Sequence, residues 1–419
     1  MSTISDTARP PVDRRTLVSL LRRLNSPDGQ ADPYPLLGEL RSKGDVVPAP
    51  WGGAYFVTGF DACNQVLRGR EWLAPDFAWQ ERQAHTERWE APATQEMTKT
   101  LSRLNAPEHT CQRRSLGNLF DRSTIERMTP DVDRDVTRLL DDLAERLRAG
   151  PADFAETVSE QLPISTVGSW LSLPPEDYPH LLEITHDQVY AQELLPSRSQ
   201  LAVSAEATIR LRAYFTELIR QRRATPGDDV LSGWIRTWDE LEPDREAADE
   251  VLYRLTMFIT IASLETTATL LSSVVWHLLE EPSRWTWLRE NPEHIDAAID
   301  EALRYDPPIH INTRVAADDT VLAGVPVAKD SMVHVMYGAA NHDPRRNPDP
   351  YTFDILRAGT HLTFGGGAHY CLGAALARLE TRSMLTQLLR RFPTLRAVSP
   401  PVFASRMVFR RVTSLSVAI

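Results

Sequence analysis

Apolar residues return every third or fourth position through Met128 to Leu147, Leu201 to Arg223, Ala247 to Leu279 and Gly373 to Arg391. That spacing gathers them on one side of an α-helix, so four long amphipathic helices are predicted. Shorter helical segments are predicted near Arg15 to Leu24 and over Phe60 to Leu67. Strand signals are few. The β-favouring run Tyr55-Phe56-Val57 follows Gly52-Gly53 and predicts a hairpin within Asp45 to Thr58, and Val321 to Val335 predicts another small β region. The expected class is mainly α with a small β region.

Asp228 to Asp244 is short and polar, and it joins two helical segments without the Gly/Ser-rich or Pro-rich spacer that separates folding units. A single domain over residues 15–419 is therefore expected, preceded by a flexible polar arm at residues 1–14. Glu71 to Thr98, rich in Trp, Gln, Glu and Arg, shows no clear period and is expected to form a lid. No internal repeat or low-complexity tract interrupts the pattern.

The chain has 419 residues, 42% hydrophobic and 25% charged, with a formal net charge of −11. A core large enough to enclose a bulky ligand is within reach at this length. The acidic balance argues against binding nucleic acid or an anionic membrane, both of which need a basic face. No uninterrupted apolar run of bilayer-spanning length is seen, and a cytoplasmic protein is expected. Cys63, Cys111 and Cys371 cannot all pair and form no C-x-x-C element, which fits a reducing compartment. Cys63, within a helical segment, reads as a small buried hydrophobe.

Cys371 stands apart. It follows Phe364-Gly365-Gly366-Gly367-Ala368-His369-Tyr370 and opens a long helix. Glycines permit positive φ and close approach to a flat ligand, and a helix start offers free N–H groups that would lower the pKa of a thiol. The loop lacks both G-x-G-x-x-G spacing and a G-K-[ST] ending, which excludes a phosphate loop. A zinc site from His361, His369 and Cys371 is a distant alternative lacking the rest of a coordination set. Two main readings stand: a sulfur ligand to haem or another metal, and a structural glycine turn with a buried cysteine.

A second unusual stretch is Phe258-Ile259-Thr260-Ile261-Ala262-Ser263-Leu264-Glu265-Thr266-Thr267. Phe258, Ala262 and Thr266 share one helix face, with Glu265 beside it. An acid and an alcohol inside an apolar helix suit a wet proton relay, and they equally suit a threonine that bonds back to the carbonyl one turn earlier. Glu301 and Arg304, three apart, can pair on one helix face before the Asp306-Pro307-Pro308 break.

Together these segments resemble the cytochrome P450 family, soluble bacterial type. The cysteine loop matches its F-G-x-G-x-H-x-C-x-G signature at every fixed position, and Glu301-Ala302-Leu303-Arg304, Ala262 to Thr267, His109 with Arg113, and Asn341-His342-Asp343-Pro344 leading to Arg357 fall in the family's order. The resemblance implies a triangular, mostly helical single domain that binds haem b (iron protoporphyrin IX) through Cys371 and uses O2 as cosubstrate. It implies propionate contacts from His109, Arg113, Arg314 and His369, haem packing by Phe364, Gly365 and Ala262, and a structural triad of Glu301, Arg304 and Arg357. Glu265 and Thr266 match the residues that assist proton delivery. Substrate contacts are implied at Trp79 and the rest of the lid, at Tyr190 within His186 to Leu195, at Phe258, at Ile309, His310 and Asn312, and at Met407.

By the same resemblance the chain is a monomeric monooxygenase that hydroxylates or epoxidises a medium-sized organic substrate, free or carrier-bound, in secondary metabolism such as antibiotic biosynthesis. The chain carries no flavin or nicotinamide fingerprint and no iron–sulfur cysteine set, so ferredoxin and ferredoxin reductase are the implied electron donors. Arg113, Arg114, Arg378 and Arg382 offer a basic docking patch for an acidic partner. The competing readings are another oxidation at the same haem, by ring coupling, desaturation or peroxide, and a non-catalytic partner protein, against which the intact Cys371 argues. Ser263 departs from the family's usual glycine. Ser263→Gly is expected to leave turnover intact while changing the peroxide released per reductant consumed, and equal coupling in the two proteins would remove any special role for the hydroxyl.

Overall fold

The computed structural model describes residues 13–83 and 86–419. Residues 1–12 of the expected arm and residues 84 and 85 of the expected lid lie outside the described residues. The first helix, Arg14–Leu24, begins where the Asp13 carboxylate accepts the Thr16 N–H, so residues 13 and 14 belong to the fold rather than to an arm.

Helices that position the site are labelled in chain order: α1 (Phe60–Arg68), α2 (Glu87–Glu90), α3 (Glu108–Ser115), α4 (Thr129–Ala149), α5 (Arg198–Ala224), α6 (Val230–Leu241), α7 (Arg245–Leu279), α8 (Ile295–Tyr305) and α9 (Ala374–Arg391). The four long helices predicted from periodicity are α4, α5, α7 and α9, each within three residues of the expected limits. α5 opens with a capping box in which Ser197 and Gln200 satisfy each other's backbone N–H groups. Asp244 caps α7 through the N–H groups of Glu246 and Ala247.

α7 is the axis of the molecule. It packs against Gln161–Leu171, α5, α6, α8 and α9, and it is buried nearly all round rather than along one stripe, so the expected amphipathicity does not hold for it. By length and composition it is apolar enough to cross a bilayer, which a search for uninterrupted apolar runs overlooks, but 72% of that stretch is buried inside the protein. Its first half, to Leu264, joins one hydrophobic core, and its second half, from Leu270, joins another. The polar step Glu265-Thr266-Thr267 falls at the junction between them.

The main sheet holds β1 (Val46–Pro48), β2 (Ala54–Val57), β3 (Trp72–Leu73), β4 (Ile311–Ala316) and β5 (Met332–Met336) in the order β1-β2-β5-β4-β3. β1 and β2 form the predicted hairpin, with Val46 opposite Val57. β2 runs parallel to β5, and β4 runs antiparallel to β5 with Arg314 opposite Val333. The predicted 321–335 region contains a small hairpin, Thr320–Leu322 with Val325–Val327, followed by β5.

Two expectations are corrected. Asp228 to Asp244 is not a plain polar connection, because α6 fills most of it and buries Leu231, Trp234, Ile235 and Trp238. Those four recur at helical spacing within a run that is polar on average, and the average hid them. The lid is likewise folded into β3, Phe77–Glu81, α2 and Pro92–Met97, elements too short to show a period. Trp79 is its anchor, with an indole N–H donated to the Asp330 carbonyl at 3.2 Å and its ring edge-on to Trp89 at 5.5 Å.

Leu231→Ala on α6 is expected to cost about 2–5 kcal/mol as a buried leucine truncation, whereas exposed Glu240→Ala should stay within roughly 0.5 kcal/mol. Urea unfolding of the two variants checks this, and equal small effects would mean the segment is not packed as a helix.

Candidate active site

The cysteine loop lies across the end of α1. Gly365 and Gly367 have φ of 70° and 63°, and a Cβ at Gly367 would sit 2.6 Å from the Leu67 carbonyl oxygen, so both the turn and the close approach require glycine. The Cys371 N–H donates to the Phe364 carbonyl at 2.9 Å, folding the loop back on itself just before α9. Cys371 opens onto a cavity of about 320 Å³ in the middle of the molecule.

Burial pushes the Cys371 thiol up, and the backbone N–H groups of Gly373 and Ala374 with the charges of Arg113 and Arg378 offset only part of this. The N–H groups at the helix start act in the expected direction, and burial outweighs them. Desolvation of a sulfur anion outweighs a helix end, and a cation bound at the sulfur would offset it.

His109, Arg113, Arg314, His369, Phe364, Gly365 and Ala262 all line the same cavity as Cys371. His109 and Arg113 sit one turn apart on α3, Arg314 projects from β4, and His369 comes from the loop. The two imidazoles lie 4.2 Å apart. Burial and the neighbouring arginines hold His109 below its usual range and push His369 down to about 2, so both rings are neutral. His109 Nε2 is buried without a partner. A sulfur on one wall with cations and an unpartnered ring nitrogen at the rim fits a flat, dianionic, metal-bearing ligand such as haem b. The zinc alternative is not supported, because no group of three His, Cys, Asp or Glu assembles as a metal site among the described residues.

On α7, Phe258, Ala262, Ser263 and Thr266 line the cavity. The Thr266 hydroxyl donates to the Ala262 carbonyl at 2.7 Å, the back-bonded arrangement that the sequence left open. Glu265 does not line the cavity. Its buried carboxylate meets His186 Nδ1 at 2.5 Å and ion-pairs with Arg406, whose Nη2 donates to the His186 carbonyl at 2.6 Å. His186 Nε2 in turn faces Glu160 at 3.4 Å, and Glu160 pairs with Arg411 at 2.5 Å. Burial would raise the Glu265 pKa, but His186, Arg406 and Arg411 hold it below the usual range. An acid one residue along a helix from Thr266 points about 100° away, which is why the two do not meet.

The triad residues are together. Arg304 grips Glu301 through two 2.7 Å bonds, and Arg357 Nε reaches Glu301 at 3.2 Å. Arg304 also donates to the carbonyls of Asn341, Pro350 and Thr352, tying α8 to the segment leading into the cysteine loop.

Of the expected substrate contacts, Phe258, Ile309 and Asn312 line the cavity, while Trp79, Tyr190, His310 and Met407 do not. Trp79 lies behind Trp89, which does line it. Tyr190 stacks under Arg406 at 4.5 Å, and His310 is buried near Asp306. The Met407 N–H is held by Glu193, whose carboxylate also accepts from Val408 and Phe409. The basic docking patch is reduced: Arg378 and Arg382 are tied to Asp300 and Asp296 at 2.6 Å, and Arg113 lines the cavity, which leaves Arg114 exposed. Sequence reasoning missed Arg88, Arg103 and Arg406, each an ordinary surface cation by composition, and no local signal marks them.

Burial works against charging His186, yet its bonds to Glu160 and Glu265 prevail and its pKa is raised. The protonated ring therefore contributes stability that is fully present below about pH 6.5, the unfolded value, and is lost as pH rises through the higher folded value. His186→Gln is expected to flatten the fall in unfolding free energy above pH 6.5, and identical slopes for parent and variant would show that the ring does not titrate with folding.

The model of the family described as Cytochrome P450 matches residues 196–411. The chain is 32% identical to the cytochrome P450 monooxygenase PikC of Streptomyces venezuelae, over 88% of this chain and 86% of that protein. It is 30% identical to the 6-deoxyerythronolide B hydroxylase of Saccharopolyspora erythraea, over 93% of this chain and 95% of that one. The fold superposes on ligand-free CYP164A2 of Mycobacterium smegmatis with a TM-score of 0.85 at 29% identity, covering 96% of this chain and 100% of that structure. With the signature loop, the cavity geometry and these likenesses in agreement, the chain belongs to the cytochrome P450 family and is a haem b-dependent monooxygenase with O2 as cosubstrate.

Proposed function

We propose that this enzyme inserts one atom of O2 into a C–H or C=C bond of a medium-sized organic molecule, in the cytoplasm and within secondary metabolism, with electrons drawn from a separate ferredoxin and its reductase. The observation that carries the reading is the convergence of Cys371, His109, Arg113, Arg314 and His369 on one cavity from separate stretches of the chain. A relative that is a hydroxylase supports oxygen insertion over the other oxidations.

When bound, haem b supplies the iron at which O2 is reduced and its O–O bond is broken. Cys371 would hold the iron through its sulfur, with the Gly373 and Ala374 N–H groups and Arg113 offsetting the sulfur's charge. His109, Arg113, Arg314 and His369 would hold the propionates, and Phe364, Gly365 and Ala262 would form the flat walls. Thr266 holds a proton at Oγ1. It delivers that proton into the cavity only by turning from the Ala262 carbonyl. Glu265 reaches Thr266 only by releasing His186 and Arg406, so proton supply is coupled to that ionic cluster. Phe258, Ile309 and Trp89 supply apolar walls for the substrate, and Asn312 is held by the Tyr337 hydroxyl at 3.1 Å.

The reduced protein with carbon monoxide is expected to show the red-shifted absorption band of thiolate-ligated haem, and Cys371→Ala should lose it. A variant that keeps an unaltered spectrum would show that another group ligates the iron.

A further inference from the structure

Four guanidinium groups face the cavity: Arg88, Arg103, Arg113 and Arg314. The propionates of haem b would balance two of them, and Arg113 and Arg314, whose charges act on the imidazoles of His109 and His369, are the two assigned to them above. That assignment leaves Arg88 and Arg103 over, although the Arg103 charge also acts on Arg314's neighbour His369. The one carboxyl among the lining residues, Glu380, is pushed up to about 7 by burial, with a hydrogen bond to Thr166 opposing, and so supplies little charge.

Arg88 comes from α2 of the lid. Its Nη1 donates to the Leu194 carbonyl at 2.8 Å, its guanidinium lies 4.9 Å from the centre of the Trp89 ring, and its Nε is buried with no partner. The Arg103 backbone N–H donates to the Thr100 carbonyl at 2.8 Å, but its guanidinium makes no hydrogen bond or ion pair among the described residues. Burial, then the charges of Arg314 and Arg88, bring the Arg103 pKa down to about 10, and burial brings Arg88 to about 10 against a small opposing effect of Glu193. Glu193 is the acid that acts on Arg88, but its oxygens accept the N–H groups of Met407, Val408 and Phe409 at 2.8, 2.9 and 3.2 Å, and it forms no ion pair with Arg88 among the described residues. Two cations that line one cavity and act on each other, without a paired counter-charge among the described residues, are costly until an anion joins them. The walls beside them, Met97, Leu101, Leu194 and Phe258, are apolar.

Resting on the oxygenase reading above, we propose that Arg88 and Arg103 form the anion-binding end of the substrate site. The substrate is then an apolar body with an anionic oxygen group, either a carboxylate on a free molecule or the phosphate of a carrier-borne arm. Binding the anion on Arg88 also fastens α2 of the lid over the cavity. The apolar end is directed toward Ala262 and Thr266, which places oxidation away from the anionic group.

The test uses the full-length haem-loaded protein and isothermal titration with dodecanoate and 4-phenylbutyrate, each against its methyl ester, and with pantetheine 4′-phosphate. At least one anion is expected to bind about tenfold or more tightly than its neutral counterpart, the size of a charge-assisted hydrogen bond. Arg88→Gln and Arg103→Gln should each remove that preference while leaving ester binding and haem content unchanged. Arginine-dependent binding of the carboxylates identifies a free acid, and the same dependence for pantetheine 4′-phosphate alone identifies a carrier arm. The proposal is overturned if no anion binds, if acids and esters bind alike, or if Arg103→Gln loses haem while Arg88→Gln changes nothing, which would assign Arg103 to a propionate. A protein without the thiolate band that still shows arginine-dependent acid binding would overturn the oxygenase reading and leave the anion site standing.

Discussion

A cavity between two hydrophobic cores that gathers a cysteine sulfur and four guanidinium groups is an electrostatic problem before it is a catalytic one. Charges away from bulk water are tolerated only when paired, neutralised or bound to a ligand. This protein uses each solution in a different place. His109 and His369 stay neutral, Glu301 with its two arginines is paired and hydrogen-bonded throughout, and the cavity cations are arranged for ligands of opposite charge.

The central helix makes that arrangement possible. Because α7 is buried along both halves, neighbours on all sides fix its position, and its polar step at Glu265 to Thr267 falls where the two cores part. Thr266 faces the cavity and Glu265 faces away, so the acid belongs to a cluster with His186, Arg406, Glu160 and Arg411 that comes from three other segments of the chain. The cysteine loop is held in a comparable way. Glycine at 365 and 367 lets it lie on α1, and the Glu301, Arg304 and Arg357 group ties α8 to the carbonyls of the chain that leads into it.

Much of the fold was legible because its main elements are long. α4, α5, α7 and α9 each repeat apolar residues over several turns, and the Gly52-Gly53 hairpin has a strong local signal. The elements that escaped are short or diluted. α6 hides four buried residues in a polar run, and the lid divides into helices of four to six residues, for which no period can be read. Among the site residues, those within the signature loop and α3 were legible because the spacing of His109, Arg113, His369 and Cys371 is local.

What the sequence determined by itself was therefore everything set by near neighbours along the chain: the helical class, the cysteine at the head of α9, the glycines that let its loop turn, and the pairing of Glu301 with Arg304. Tertiary structure alone decided which way each polar side chain faces once helices pack. It sent Glu265 to Arg406, 141 residues away, turned Tyr190, His310 and Met407 from the cavity, and brought Arg88 and Arg103 into it. The physical reason is that a side chain's direction follows from helix phase and from distant partners competing for its charge, and neither is written in the spacing of adjacent residues.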